Sequence, residues 1–315
     1  MTTQERVEQF TSMASTVTFR VTRPNAAADA AIGRARAIFE DVAAACTRFD
    51  PRSPLMRANA APTEWCIVPG VCLDAIAAAF DAYIATDGRF DPRVLRALQS
   101  QGYADSRSFT DTPMLPAVRE SASVLVSAWH PEFEGRRVRI GDEPIDLGGI
   151  AKGLAVRWAA AELKGTGTGF MVDAGGDIAA RGVSPDGGPW LVGVEDPWNA
   201  DADPVVVVDA TNRAVATSSI RLRSWMNAGQ VRHHLIDPRT GEPGGVGLIS
   251  VTVIGDDAAD AEVWSKTLFL EGAGGIAEAA TNCGLSAIWV DAHGGIGCTT
   301  EAQQYIVWQV THASA

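Results

Sequence analysis

Three short segments carry the residues whose types and spacing suit chemistry on a phosphate. The first is Asp146-Leu147-Gly148-Gly149-Ile150-Ala151-Lys152-Gly153. It joins a carboxylate, a glycine pair and a lysine to the start of a helix. Backbone N–H groups at such a start point outward unpaired, and the helix dipole favours negative charge there. The glycines admit a phosphate and the lysine adds a positive charge, so the segment reads as an anion cradle with Lys152 as a phosphate ligand. The plainer alternative for Lys152 is a solvated lysine in a first helical turn. Asp146 either caps the turn or orients a ligand.

The second segment, Gly175-Gly176-Asp177, follows a short apolar strand. Taken alone, Asp177 is a turn aspartate that bonds local backbone. The third runs from His233-His234-Leu235-Ile236 through Asp237-Pro238-Arg239-Thr240-Gly241. Adjacent histidines on a strand point to opposite faces, so His233 and His234 do not share a pocket and do not make a two-histidine metal site. One is a core or surface histidine. The other is a candidate general base near neutral pH. The Asp-Pro-Arg-Thr-Gly turn fixes the end of that strand in either case.

Two further groups carry weaker signals. Thr217-Ser218-Ser219 ends a strand with three hydroxyls, which either satisfy backbone groups or donate to a phosphate or ribose. Glu262 and Lys266 lie four apart on a predicted helix and share a face. Their simplest reading is a surface ion pair, with Trp264 between them in the core.

These residues need a scaffold, and the chain can build one. Its 315 residues, 46% hydrophobic and 20% charged, are enough for a sizeable core. The formal charge of -12 repels a nucleic-acid backbone, and an anionic ligand needs a local positive pocket against that field. The segment Met1-Thr2-Thr3-Gln4-Glu5-Arg6-Val7 lacks the basic start and apolar run of a secretory signal, and no cysteine follows an apolar leader. No run is long and apolar enough for a bilayer. The expectation is a cytoplasmic protein without membrane insertion. Cys46, Cys66, Cys72, Cys283 and Cys298 are scattered, with no C-x-x-C, and read as mostly buried reduced thiols rather than a zinc site.

Hydrophobic spacing predicts helices over 29–49, 69–86, 150–163, 258–270 and 275–283. The first carries Ile32, Ala35, Phe39, Val42, Ala43 and Cys46 on its apolar positions, and Gly88 stops the second. Strands are predicted over 15–21, 169–173, 190–195, 204–209, 214–218, 232–236, 248–254, 286–292 and 304–310, with loops and short strands over 89–141. Strands outnumber helices and often follow one another directly, which predicts a mixed α+β fold rather than a regular parallel alternation. No repeat or linker demands a cut, so residues 1–315 read as one domain, with room for two intertwined subdomains.

The ordered set of motifs resembles the FAD:protein FMN transferase family, also called ApbE-like, from about residue 15 to about residue 291. The resemblance rests on the Asp146–Gly153 segment, Asp173-Ala174-Gly175-Gly176-Asp177-Ile178, Ala216-Thr217-Ser218, and His234 through Gly241. Thr47-Arg48-Phe49-Asp50, Ser53 and Asn59 add support, and Gly88-Arg89-Phe90-Asp91-Pro92 is similar to the family's flavin-side loop. The resemblance implies an α+β fold of largely antiparallel sheets with packed helices, related to tunnelling folds. It implies cleavage of FAD, with FMN passed to a threonine or serine of a partner protein and AMP released. A FAD pyrophosphatase giving FMN and AMP, or a FAD-binding protein without catalysis, are the alternatives. By resemblance, Lys152 and the glycine turn hold the pyrophosphate. Asn59, Asp91, Asp177 and Ser218 sit near the flavin or nucleotide, and His234 activates the acceptor hydroxyl. Magnesium would be held by the Ala151 carbonyl and by the family's Ala-Asp-Ala-Leu-Ser/Ala-Thr motif. The matching stretch here is Ala261-Glu262-Val263-Trp264-Ser265-Lys266. Glu262 can still ligate, but a protonated lysine cannot coordinate a cation. The alternative is that the Lys266 ammonium takes the metal's place, paired with Glu262.

Overall fold

A computed structural model of the chain describes residues 5–105, 127–199, 201–221 and 223–312. Residues 106–126, within the stretch expected to be loops and short strands, and Met1 to Gln4, within the segment inspected for a leader, lie outside the described residues. The main sheet has eight strands, Glu5–Ser12, Ser15–Thr22, Gly169–Ala174, Asp177–Gly182, Ala214–Ser219, Leu248–Gly255, Ser286–Asp291 and Ile296–Cys298. Their order in space is their order along the chain, and every neighbouring pair is antiparallel.

Eight helices occur among the described residues: α1 Ala28–Cys46, α2 Pro54–Ala60, α3 Gly70–Ala85, α4 Leu95–Ser100, α5 Ala151–Leu163, α6 Ala258–Leu270, α7 Gly272–Asn282 and α8 Thr300–Gln303. The mixed α+β expectation holds. Side-chain alternation sorts the two faces of the sheet into separate cores. Val215 and Ile254 pack with Val192, Val194, Val206 and Val208 of a second, three-stranded sheet. Their chain neighbours Ala216 and Val253 pack with Leu268 of α6 and Ile276 of α7. Leu248–Gly255 is thus covered on both faces, and its residues through Ile254 are all buried, Ser250 and Thr252 included. At the other end of the sheet, Phe19 meets Phe39 of α1 and Phe10, with ring centroids 5.4 to 5.8 Å apart. Phe19 and Phe39 are fully buried, and each contributes about 1.5–3 kcal/mol by leaving water.

Several sequence expectations need correcting. The strand at 15–22 is not the first, because Glu5–Ser12 pairs with it through a turn at Met13 and Ala14, whose φ values are positive. That strand alternates half-buried and exposed residues at the sheet edge, so its charges mask it. The predicted strand over 232–236 is broken. Gln230–His233 pairs with Ser224–Asn227, and Ile236–Asp237 pairs with Glu242–Pro243, leaving His234 between them. Helices α2, α4 and α8 arise where no helix is predicted; all three are short, and α2 starts on a Ser53 side chain that accepts from the Met56 N–H ahead of Pro54. Of the cysteines only Cys46 and Cys72 are buried, and Cys283 is exposed at the end of α7.

Candidate functional site

The site begins with the close approach of α5 and α6. A Cβ added to Gly153 would lie 2.7 Å from the Ala258 carbonyl oxygen and from the Ala259 Cα, so only glycine admits this contact. Asp257 caps α6 by accepting from the Ala259 and Asp260 N–H groups, and it also receives Arg157 of α5. With the helices so close, the Gly153 N–H donates to Glu262 Oε2 at 2.7 Å.

Glu262 then organises a buried cluster of charges. Lys266 Nζ lies 3.0 Å from its Oε1, and Lys152 Nζ lies 3.5 Å from the same oxygen. Lys152 also bonds the Asp177 carboxylate. Asp177 comes from the main sheet, just after the Gly175-Gly176 turn, where both glycines have positive φ and the Gly176 N–H donates to Asp173. Asp177 and Glu262 are 1% and 0% exposed, which corrects the surface-pair reading of Glu262 and Lys266. The reason is tertiary: the Gly153 contact buries the face of α6 that carries them. Burial works against ionising Glu262, but Lys266, Lys152 and the Gly153 N–H outweigh it and hold its carboxyl below the ordinary range. Burial, then the charge of Glu262, pushes Asp177 up. Burial also disfavours the charge on Lys152, yet Asp177 and Glu262 raise it above its ordinary value.

Beside this cluster lies an open cleft of about 790 Å³, open solvent at its mouth included. Gly148 and Gly149 form part of its wall, together with Phe90, Asp91, Tyr103, His234, Lys266 and Leu270. Its charged lining is four basic side chains, Arg48, Arg89, Arg223 and Lys266, against two acidic ones, Asp91 and Asp146. Arg48 pairs with Asp146, Arg89 with Glu271 and Lys266 with Glu262, so the positive surplus offered to an anionic ligand in this chain of net charge -12 is modest. The apolar and aromatic remainder suits a flat, largely apolar ligand part.

His234 faces this cleft because the strand stops at His233. Its Nδ1 is buried without a hydrogen-bond partner, while a backbone hydrogen bond with Arg223 engages the ring. Burial first, then the charges of Arg223 and Lys266, push it well below 6.5, so the imidazole is neutral at neutral pH. His233 goes to the opposite side. It is fully buried, accepts from the Leu235 N–H and meets Phe269 edge-on, and burial takes it down to about 3.

The expected residues divide between two levels. Asp91, His234 and Lys266 line the cleft, with Asp146, Gly148 and Gly149. Lys152, Asp177 and Glu262 form the buried cluster, and Lys266 belongs to both levels. Ala151 opens α5 and is buried. Ser218 is buried and shares a 2.8 Å hydrogen bond with Ser265. Asn59 gives its side-chain amide to the backbone of Ile145, donating to the carbonyl and accepting from the N–H at 2.8 Å each, and so holds the chain entering Asp146. Asp91 receives Arg93 as a buried pair at 2.7 Å. Asp146 caps the Gly148 N–H and pairs with Arg48 at 2.8 Å.

The donors present do not fit a magnesium ion. Both oxygens of Glu262 are engaged, one by two ammonium groups and one by a backbone N–H. Lys266 presents an ammonium to the same carboxylate, and magnesium takes oxygen ligands. Among the described residues no three His, Cys, Asp or Glu side chains converge on a metal position.

Two cleft residues were not singled out from sequence. Arg48 is held between the rings of Phe49 and Tyr103, its Cζ 4.2 Å from each centroid, and donates to the Tyr103 carbonyl. Arg223 lies on the link into the strand Ser224–Asn227. For Arg48 the available signal was its place beside Phe49 in an otherwise acidic chain; Arg223, between Leu222 and Ser224, offered none.

Comparison with known proteins identifies the family and the fold. The family model described as the ApbE family matches residues 13–289. The chain is 28% identical over 228 residues to the FAD:protein FMN transferase of Klebsiella pneumoniae, covering 70% of this chain and 65% of that protein. It is 27% identical over 206 residues to the FAD:protein FMN transferase of Salmonella typhimurium, covering 63% of this chain and 59% of that one. The chain thus spans about three fifths of the length of these curated relatives. The crystal structure of the ApbE protein from Thermotoga maritima superposes with a TM-score of 0.79 at 25% identity, covering 96% of this chain and 99% of that one.

Proposed function

The chain belongs to the ApbE family, and from that premise we propose that it is an FAD:protein FMN transferase, moving FMN from FAD to a Thr or Ser hydroxyl of a partner protein and releasing AMP. The observation that carries the reading is the neutral His234 in a positively lined cleft, with a bare Nδ1. The hydroxyl oxygen of the acceptor bonds to the FMN phosphorus. The bond from that phosphorus to the bridging oxygen breaks, and AMP leaves with the oxygen and its electron pair. The hydroxyl proton goes to the His234 imidazole, the general-base role. Positioning and charge neutralisation dominate such transfers. Arg48, Arg223 and Lys266 supply positive charge along the cleft, and Gly148 and Gly149 let the diphosphate approach the start of α5. Lys152 sets the position of Asp177 and Glu262 beneath them. The five cysteines are all free, two of them buried, which supports a reducing, cytoplasmic compartment.

The test is incubation with FAD and a threonine-bearing acceptor protein, followed by mass spectrometry and AMP quantification. An acceptor carrying the mass of FMN, with AMP released in equal amount, is the expected result. Free FMN and AMP without modified acceptor would make the chain a FAD pyrophosphatase. FAD bound and recovered intact would make it a binder without catalysis.

A further inference from the structure

We propose that the Lys266 ammonium is the built-in cation of this site, so that the chain handles the diphosphate of its dinucleotide without a divalent metal. The inference rests on the proposed function only for the identity of the anion. Its structural basis is the closed charge cluster. Asp177 and Glu262 supply two negative charges, and Lys152 and Lys266 supply two positive ones. Lys266 Nζ is 3.0 Å from Glu262 Oε1, Lys152 Nζ is 3.5 Å from that same oxygen, and Oε2 is taken by the Gly153 N–H at 2.7 Å. A divalent ion entering here would displace hydrogen bonds from Glu262 and face two ammonium groups in a medium where Coulomb repulsion is several times stronger than in water.

Lys266 is also where a cation must be to serve a ligand in the cleft. Its side chain is 17% exposed, and the residue lines the cleft. A Cβ built on Gly149 would lie 3.5 Å from the Lys266 Cδ, so the stem of the lysine runs against the glycine turn. The ammonium carries three N–H donors. One direction is used by Glu262, and the others remain for phosphate oxygens at the cleft wall. Replacing Lys266 by threonine removes one positive charge, leaves the cluster net negative and frees Glu262 Oε1 from the nearer ammonium. It also introduces a hydroxyl, so that carboxylate and hydroxyl oxygens then offer the donor chemistry of a hard cation.

The experiment titrates flavin-free protein with Mn2+, followed by electron paramagnetic resonance, in the wild type and in Lys266→Thr. Transfer from FAD is measured in parallel with and without a chelator. The wild type is expected to bind no stoichiometric Mn2+ and to keep its transfer rate in chelator. Lys266→Thr is expected to bind one Mn2+ at least about tenfold more tightly than the wild type, which is ~1.4 kcal/mol. If Lys266→Thr does not fold by circular dichroism, Lys266→Gln replaces it with the same expectation. One tightly bound Mn2+ in the wild type overturns the proposal, as does loss of transfer in chelator, or a folded variant with no gain in Mn2+ binding. If neither protein transfers FMN, the functional reading fails, while the Mn2+ titration still decides the role of Lys266.

Discussion

The cleft lines an open space with more basic than acidic side chains, whereas the cluster beside it closes charge on itself. The cleft presents Arg48, Arg89, Arg223 and Lys266 around apolar walls, with more basic than acidic groups. The neighbouring cluster balances Lys152 and Lys266 against Asp177 and Glu262 and is almost wholly buried. The same residue types therefore do different work according to water access. Unbalanced charge at an open wall attracts an anion, whereas balanced charge in a dry interior fixes geometry and is costly to disturb. Lys266 belongs to both sides and couples them.

The sharpest test of the open side removes its proton acceptor. His234→Gln is expected to lower kcat for FMN transfer by about 10²- to 10⁴-fold, the usual contribution of a positioned base. Thermal stability should fall by no more than about 1 kcal/mol, because Nδ1 has no partner and the ring's one hydrogen bond is to the Arg223 backbone. Rates of AMP release and a melting curve measure the two effects. An unchanged kcat would remove the imidazole from the chemistry and leave the cleft as a binding site alone.

The closed side should respond the opposite way. Glu262→Ala leaves two ammonium groups and the Gly153 N–H without their shared acceptor. Breaking a buried charge pair in this manner costs about 3–5 kcal/mol, to be read from urea unfolding. A loss below about 1 kcal/mol, the range of exposed pairs, would show that the cluster is wet and that the contrast with the cleft is false.

The two adjacent histidines sharpen the contrast through pH. Both are neutral when folded, His233 because burial takes it to about 3 and His234 because burial and nearby cations take it well below 6.5. The unfolded chain protonates both as pH falls through 6.5, so it binds more protons than the folded one. Stability from these groups is complete above pH 6.5 and declines below it, by at most about 1.4 kcal/mol per pH unit for each. Asp177, raised to about 6 when folded, acts in the reverse sense and offsets part of the decline below about pH 6, so the decline should be clearest between pH 6.5 and 6. Unfolding midpoints at stepped pH test this, and His233→Asn should flatten the slope if the fold tolerates it. A stability that rises from pH 6.5 towards 5.5 would mean that the histidines are charged in the folded state.

What the sequence made legible follows the same division. The glycine turn, the start of α5 near Ile150 and the strand ahead of Gly175 are local, set by backbone demands that a few residues announce, and they stand where expected. That His233 and His234 must face apart followed from strand geometry, and they do, although the strand stops at the first of them. The burial of Glu262 was not legible, because nothing local says that Gly153 will lie against α6 and exclude water from that face. The pairing of Arg48 with Asp146 joins two distant segments through the loop after α1, which no periodicity reports. Asn59 is an intermediate case: the residue was singled out, but its bonds to the Ile145 backbone belong to the tertiary structure.

The smallest effect expected lies in the wall of the cleft. Arg48 forks between the Asp146 carboxylate and the Tyr103 carbonyl while lying between two rings. Lysine keeps the charge but lacks the planar fork, so it cannot make both bonds and stack at once. Arg48→Lys should cost about 1 kcal/mol of stability, roughly one hydrogen bond net of what lysine recovers. Because Asp146 holds the Gly148 N–H, the loss loosens the glycine turn rather than the chemistry. The expected signature is a KM for FAD raised about fivefold, with kcat little altered, since ~1 kcal/mol of uniform binding corresponds to about that factor. An equal fall in kcat would place Arg48 against the transition state itself. It would then be a partner of His234 in the chemistry rather than a support for the turn.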